Sequence, residues 1–168
     1  MILPTEIIIR ILSFVDFILY PLLHYFFPFF FKQPPTNHKL ETLLLWAAEN
    51  GKEDLCRFAK KLGARDFIGM AYKAARSNHE NLCYLAKKWM IHKLNEIDDD
   101  NKKIQMVDFS NWVLYGAARS NNLSLCYKAK KWGAIHFEAV CYIAQESKNE
   151  QLYIMATNWM EEKEEEEK

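Results

Sequence analysis

Glycine and proline are scarce, five of each in 168 residues, while Leu, Ala, Lys and Glu are common. Few hairpin turns can be built from such a composition, and helix should dominate. Net charge is also missing, since 22 Lys and Arg balance 22 Asp and Glu. A chain without an overall field is not steered toward nucleic acid, so no nucleic-acid partner is expected. The four cysteines, Cys56, Cys83, Cys126 and Cys141, are far apart and form no CxxC pair, and no cleavable-looking signal is visible. They read as reduced thiols in an intracellular, cytoplasmic protein.

Catalytic signatures are lacking too. His24, His38, His79, His92 and His136 stand at unrelated places, there is no glycine-rich phosphate loop, and no nucleophile is paired with a base. The run from Asp98 has neither the glycine at its sixth position nor the glutamate at its twelfth that a calcium loop needs. The expectation is therefore a protein that is no enzyme and takes no metal or cofactor.

What the sequence has is an internal repeat. WAAENGKEDLCRFAKKLGA, from Trp46, recurs as KAARSNHENLCYLAKKWMI from Lys73, as GAARSNNLSLCYKAKKWGA from Gly116 and, more loosely, as IAQESKNEQLYIMATNWME from Ile143. The equivalent alanines Ala47, Ala74, Ala117 and Ala144 are separated by 27, 43 and 27 residues, a 27-residue period with one 16-residue insertion. Each copy breaks in the middle at a polar patch, which predicts two helices per unit. Gly51, Asn78 and Asn121 suit the left-handed backbone of a tight turn between them, and Lys148 suits it poorly.

In the second helix of each unit the spacing of Leu55, Cys56, Ala59 and Leu62 defines one buried stripe. It returns as Leu82, Cys83, Ala86 and Trp89, then as Leu125, Cys126, Ala129 and Trp132. In the first helix Leu43, Leu44 and Ala47 match Met70, Ala71 and Ala74, then Val113, Leu114 and Ala117. One helix pair cannot cover its own apolar face, so the pairs should stack, and four satisfy the usual minimum of three. The fold expected is all-α, a helical-repeat solenoid of about four 27-residue helix-turn-helix units.

The paired alanines, the turn Gly or Asn, the Leu-Cys helix and the closing Gly63-Ala64 and Gly133-Ala134 resemble the ankyrin repeat. The likeness covers roughly residues 40–160 and implies a protein-protein interaction module. Ankyrin repeats run to about 33 residues with a Thr-Pro-Leu-His start and a projecting hairpin. Here only a few residues follow Ala64, so the hairpin fingers should be lost. Shortened repeats of this kind resemble those of large DNA viruses, where they imply scaffolding or recognition of host proteins, placing this chain in the host cytoplasm.

Residues 1–38 form a hydrophobic N-terminal segment of a different kind. Pro4 and Glu6 mark a helix start. Leu3, Pro4, Glu6, Ile7, Ile11, Leu12, Phe14 and Val15 resemble the opening of an F-box, the module that docks on the adaptor of cullin-type ubiquitin ligases. Beyond Asp16 the resemblance stops. Three readings stand, in this order: a cap on the first repeat with F-box-like docking, a cap alone, and a membrane anchor. The anchor is disfavoured because the uncharged run from Phe17 to Phe31 is 15 residues long and contains Pro21, His24 and Pro28.

Candidate partner-binding residues are thus Leu3, Pro4, Ile7 and Ile11, together with a recurring lysine pair, Lys60 and Lys61, Lys87 and Lys88, Lys130 and Lys131. Stacking turns that pair into a basic stripe for an acidic partner, or into a solvated face whose stems shield the core. The register of Cys56, Cys83 and Cys126, and that of Trp89, Trp132 and Trp159, reads as core packing. The insertion near residues 95–110 reads as a surface loop of the kind that carries recognition, and the acidic tail, residues 161–168, as a frayed, solvated helix end. Function is expected to be recruitment of a target protein by a monomer, to a ubiquitin ligase or, alternatively, as a membrane-associated scaffold.

Overall fold

A computed structural model describes residues 37–95 and 98–166. Leu3, Pro4, Ile7 and Ile11, and the cap, docking and anchor readings attached to them, lie outside the described residues. Those described form eight α-helices and no strand. Four are first members of a pair: α1 Asn37–Glu49, α3 Phe67–Arg76, α5 Asp99–Arg119 and α7 Phe137–Glu146. Their partners are α2 Glu53–Leu62, α4 Glu80–Leu94, α6 Leu123–Lys131 and α8 Glu150–Glu166. No helix among them is long and apolar enough to cross a membrane.

The turns inside the pairs share one backbone solution. Gly51, Asn78, Asn121 and Lys148 all take a left-handed backbone, at φ of 68°, 65°, 55° and 53°. The next residue's N–H then reaches back to the alanine five residues earlier, Lys52 to Ala47 O at 2.8 Å, His79 to Ala74 O at 2.8 Å, Asn122 to Ala117 O at 2.9 Å and Asn149 to Ala144 O at 2.9 Å. This closure consumes helix-end carbonyls that would otherwise be orphaned. Lys148 shows that the turn is imposed by the pair and not by its residue, because a side chain that gains nothing locally from this backbone costs about 1 kcal/mol there.

Between pairs the chain turns at Gly63 and Gly133, with φ of 120° and 104°. A side chain from the first helix completes each of these turns. Glu41 accepts the N–H groups of Arg65 and Asp66 at 2.7 and 3.0 Å. Asn111, at the matching place, accepts those of Ile135 and His136 at 2.8 and 3.2 Å through Oδ1. The third member of that register, Ile68, belongs to the pair whose second helix runs on without such a turn, and there no acceptor is needed.

The odd-numbered helices pack in a row, α1 on α3, α3 on α5 and α5 on α7, and each carries its even-numbered partner. The core is where the apolar spacing predicts: Leu44, Ala47, Met70, Ala71, Ala74, Val113, Leu114 and Ala117 from the row, and Leu55, Cys56, Ala59, Leu82, Cys83, Ala86, Leu125, Cys126 and Ala129 from the partners, are buried. Leu62 departs from expectation. It is 40 % exposed, whereas Trp89 at the equivalent place is 7 %. Each tryptophan is covered by side chains of the preceding pair, and the described residues supply no pair before Leu62.

The insertion is helix instead of loop. Helix α4 continues to Leu94, and α5 starts at Asp99 after an N-cap at Asp98, whose carboxylate accepts the Asn101 N–H at 3.1 Å. Asp99 and Asp100 then sit in the first turn, where negative charge suits the helix dipole. The added turns bury Leu94 and Phe109, so apolar burial stabilises them beyond what a loop would offer. The acidic tail is helical as well, as far as Glu166, with Lys130 paired to Glu162.

The closest approach in the row is at Gly116. A β-carbon there would lie 2.7 Å from Ala75 Cβ, 2.7 Å from the Tyr72 carbonyl oxygen and 3.0 Å from the Arg76 nitrogen. Two of these are backbone atoms, which cannot step aside. Gly116→Ala gains about 1 kcal/mol of helix propensity, but overpacking costs about 1–3 kcal/mol. A net loss of about 1 kcal/mol is expected, seen as a lower urea midpoint at unchanged slope; a higher midpoint would mean that α3 and α5 are not held this tightly.

Candidate protein-binding face

The lysine pairs divide their labour. Lys60 stands 4.9 Å over the Trp89 ring, Lys87 4.3 Å over Trp132 and Lys130 5.2 Å over Trp159. In every case the lysine belongs to one helix pair and the indole to the next. These three are half-buried, whereas Lys61, Lys88 and Lys131 are exposed. Burial pushes the Lys87 ammonium below its ordinary value. Tyr84 and Tyr127 meet the same indoles edge-on, each 5.0 Å from Trp132 and Trp159 respectively. The expected basic stripe is therefore one lysine per pair wide, and the other lysine closes the joint between pairs.

The polar turns form a second recurring contact. Asn122 Oδ1 accepts the Leu125 N–H at 2.9 Å, capping α6, while its Nδ2 donates to Asn78 Oδ1 of the preceding pair at 2.7 Å. Asn149 repeats this, accepting from Leu152 at 3.0 Å and donating to Asn121 at 3.1 Å. At the first joint His79 lies directly over Gly51. His79 is thus a turn residue in register with the asparagines.

A face that sequence reasoning missed lies on the outer side of the odd-numbered helices. On α5, Asp108, Trp112, Tyr115 and Arg119 follow at intervals of four, three and four residues, which places them on one stripe. Tyr72 of α3 meets Trp112 edge-on at 5.5 Å, and Trp112 meets Tyr115 at 5.6 Å. Tyr115 stacks on His136 and shares a 2.5 Å hydrogen bond between its hydroxyl and Nδ1. Tyr142 of α7 completes a cavity of about 400 Å³ with Tyr72, Trp112, Tyr115, Arg119 and Ala139. Trp112 is 46 % and Tyr142 61 % exposed, although both are large rings.

Charge is distributed unevenly along this face. Burial, followed by the carboxylates of Glu138 and Asp108, pushes the Tyr115 hydroxyl up. The Tyr142 hydroxyl is also pushed up, first by its hydrogen bond to Glu146, with Arg119 acting in the opposite direction. Carboxylates therefore act on the Tyr115 hydroxyl, and a carboxylate and a guanidinium together on that of Tyr142. The sequence did carry a signal, since Leu45, Tyr72, Tyr115 and Tyr142 occupy one register of the repeat. Reading the repeat for its buried stripe passed over it.

Cys56, Cys83 and Cys126 are buried free thiols, and Cys141 is half-buried. Desolvation is the main reason that the first three are pushed up to about 12. Among the described residues no group of three His, Cys, Asp or Glu side chains is arranged to hold a metal ion. Comparison of the chain with family models, curated proteins and solved structures finds no match.

Two outcomes test the joint and the thiols. Lys87→Met should lower stability by about 0.5–1 kcal/mol through the lost cation–π contact, while Lys88→Met should change it by less than about 0.5 kcal/mol; equal effects in chemical denaturation would deny Lys87 its special place. A thiol reagent at neutral pH should modify Cys141 first and the other three at the rate of unfolding, because buried thiols with raised pKa values hold no thiolate. Fast labelling of Cys83 in the native protein, located by peptide mass, would overturn that order.

Proposed function

We propose that the chain is an ankyrin-like helical-repeat solenoid without hairpin fingers, and that it works as a non-enzymatic module binding another protein. The observation that carries the reading is the exposed aromatic face of Tyr72, Trp112, Tyr115 and Tyr142. Large rings at the surface, bounded by charge, have the composition of an interface centre, where Trp, Tyr and Arg supply most of the binding energy. Support for the solenoid comes from the shared turn geometry at Gly51, Asn78, Asn121 and Lys148 and from a lysine-tryptophan joint repeated three times. In such an array each pair touches only its neighbours, and the row of first helices offers one extended surface.

Recruitment of the bound protein to a cullin-type ubiquitin ligase is the second part of the proposal. It rests on the F-box-like Leu3, Pro4, Ile7 and Ile11. The exposed lysines Lys61, Lys88 and Lys131 provide a separate basic edge for an acidic partner. A membrane-associated scaffold with no ligase link is the alternative, supported by the hydrophobic run from Phe17 to Phe31. The protein is taken to act as a cytoplasmic monomer, in the host if the viral resemblance holds.

Affinity purification from the native cell, with and without residues 1–38, separates these readings. Full-length protein should capture both a target and the ligase adaptor, and truncated protein the target alone. Partition of the full-length protein into membranes, resistant to carbonate and without adaptor, would favour the scaffold. Loss of the target on substituting Trp112 by Ala, with the helical far-UV spectrum unchanged, is expected; target binding that ignores Trp112 would remove the aromatic face from the proposal.

A further inference from the structure

The turn of the first pair differs from the other three in its chemistry. Asn50 and Gly51 stand where the later units have Ser77 and Asn78, Ser120 and Asn121, and Ser147 and Lys148, and among the asparagines of the chain Asn50 alone is followed by glycine. Both residues are exposed. Glycine suits the φ of 68° at this place and gives the His79 ring its seat, since a β-carbon there would lie 2.7 Å from Cε1 and 2.9 Å from Nδ1 of that ring. The missing side chain has a second effect. It leaves the Gly51 nitrogen unshielded next to the Asn50 carboxamide.

We propose that Asn50 and Gly51 form a site of spontaneous covalent modification, where the Gly51 amide nitrogen attacks Asn50 Cγ and water opens the resulting imide to aspartate or isoaspartate. The attack forms a bond from the Gly51 nitrogen to Cγ and breaks the bond from Cγ to Nδ2. The proton of the Gly51 amide departs with that nitrogen as ammonia. Water then adds to one of the two carbonyl carbons of the ring. Cleavage at Cγ restores the ordinary backbone and leaves aspartate, whereas cleavage at the backbone carbonyl carbon routes the chain through Cβ and Cγ as isoaspartate. Water is the co-reactant, and no electron changes hands. The inference goes beyond the protein-binding reading and does not rest on it.

The folded turn slows this reaction without abolishing it. Asn50 Nδ2 donates to the Trp46 carbonyl at 2.8 Å, which holds the carboxamide back against the last turn of α1. The Gly51 N–H donates to Ala48 O at 3.3 Å, longer than the 3.2, 3.1 and 3.2 Å of the equivalent bonds from Asn78, Asn121 and Lys148. Both restraints belong to a helix end, and helix ends open most readily. The product cannot take the same turn. A carboxylate at residue 50 lies at the C-terminal end of α1, where the helix dipole disfavours negative charge. Glu49 and Glu53 are its neighbours in sequence, and their cations, Lys73 and Arg57, are already engaged. Isoaspartate lengthens the backbone by one carbon, which pulls the Lys52 N–H off Ala47 O and Gly51 from beneath His79. Modification therefore loosens the first pair from the second.

Peptide mass mapping of the full-length protein, incubated at mildly alkaline pH and sampled over time, tests this directly. The peptide carrying Asn50 should exchange its amide for an acid at least tenfold faster than any other asparagine peptide, and electron-transfer fragmentation should find isoaspartate at residue 50. In guanidinium chloride that peptide should convert at least tenfold faster again, because nothing then holds the carboxamide back. Asn50→Ser supplies the control. Serine occupies this place in the other three units, where the Ser120 and Ser147 hydroxyls donate to the Ala117 and Ile143 carbonyls, so the variant should keep the helical far-UV spectrum and stay unmodified there. Aged wild-type protein should unfold at a lower urea midpoint than fresh protein, and aged Asn50→Ser should not. Conversion of Asn50 no faster than that of the other asparagines would overturn the site. Equal rates in folded and unfolded protein would overturn the restraint by the turn, and an unchanged urea midpoint after full conversion would overturn the loosening of the first pair.

Discussion

The approach of α5 to α3 at Gly116 is the constraint on which the exposed face depends. A residue without a side chain lets the α5 backbone settle against the carbonyl of Tyr72 and the nitrogen of Arg76. That contact sets the separation of the two helices, and with it the edge-on meeting of Tyr72 and Trp112 one turn away. Displacing α5 by the radius of a methyl group would open the ring contact and widen the cleft. The recurring alanines act in the same sense along the rest of the row. Small residues at the backs of the helices thereby position large ones at the front.

The joints between pairs are built from different chemistry. Each indole of the last three second helices is wedged under a lysine from the preceding pair, and two of them also under a tyrosine. Phe67 and Phe137 lie against Trp89 and Trp159 from below. Where the equivalent residue is Ser110, its hydroxyl donates to the Trp132 carbonyl at 2.9 Å, and Phe109 takes over the ring contact. The pattern tolerates such exchanges because hydrophobic cover is non-directional and the lysine stem adapts to it.

Much of this was legible in the sequence, and for definite reasons. Helix pairs were legible because Leu, Cys and Ala recur at helical spacing and because Gly51, Asn78 and Asn121 mark left-handed turns. The two lysines of each pair were not separable, since adjacent residues on a helix point about 100° apart and only the position of the next pair decides which one finds an indole. The insertion looked like a loop because its acidic residues carry no apolar periodicity; Asp98 as a cap and the buried Leu94 and Phe109 make it helix. Leu62 was misplaced because burial at that register is supplied from the preceding pair. The aromatic face went unread because its register, that of Leu45, Tyr72, Tyr115 and Tyr142, lies off the buried stripe by which the repeat is recognised.

The lysine-tryptophan joint also has a direction in time. Lys60, Lys87 and Lys130 precede the indoles they cover by 29, 45 and 29 residues, so each cover is synthesised before the ring that needs it. A chain leaving the ribosome N-terminus first presents every new helix pair with a seat that already exists. Reversing the order of the units would leave each tryptophan waiting, exposed, for a lysine not yet made. The molecule is therefore suited to vectorial assembly, with nascent pairs docking one after another and little sticky surface open at any moment.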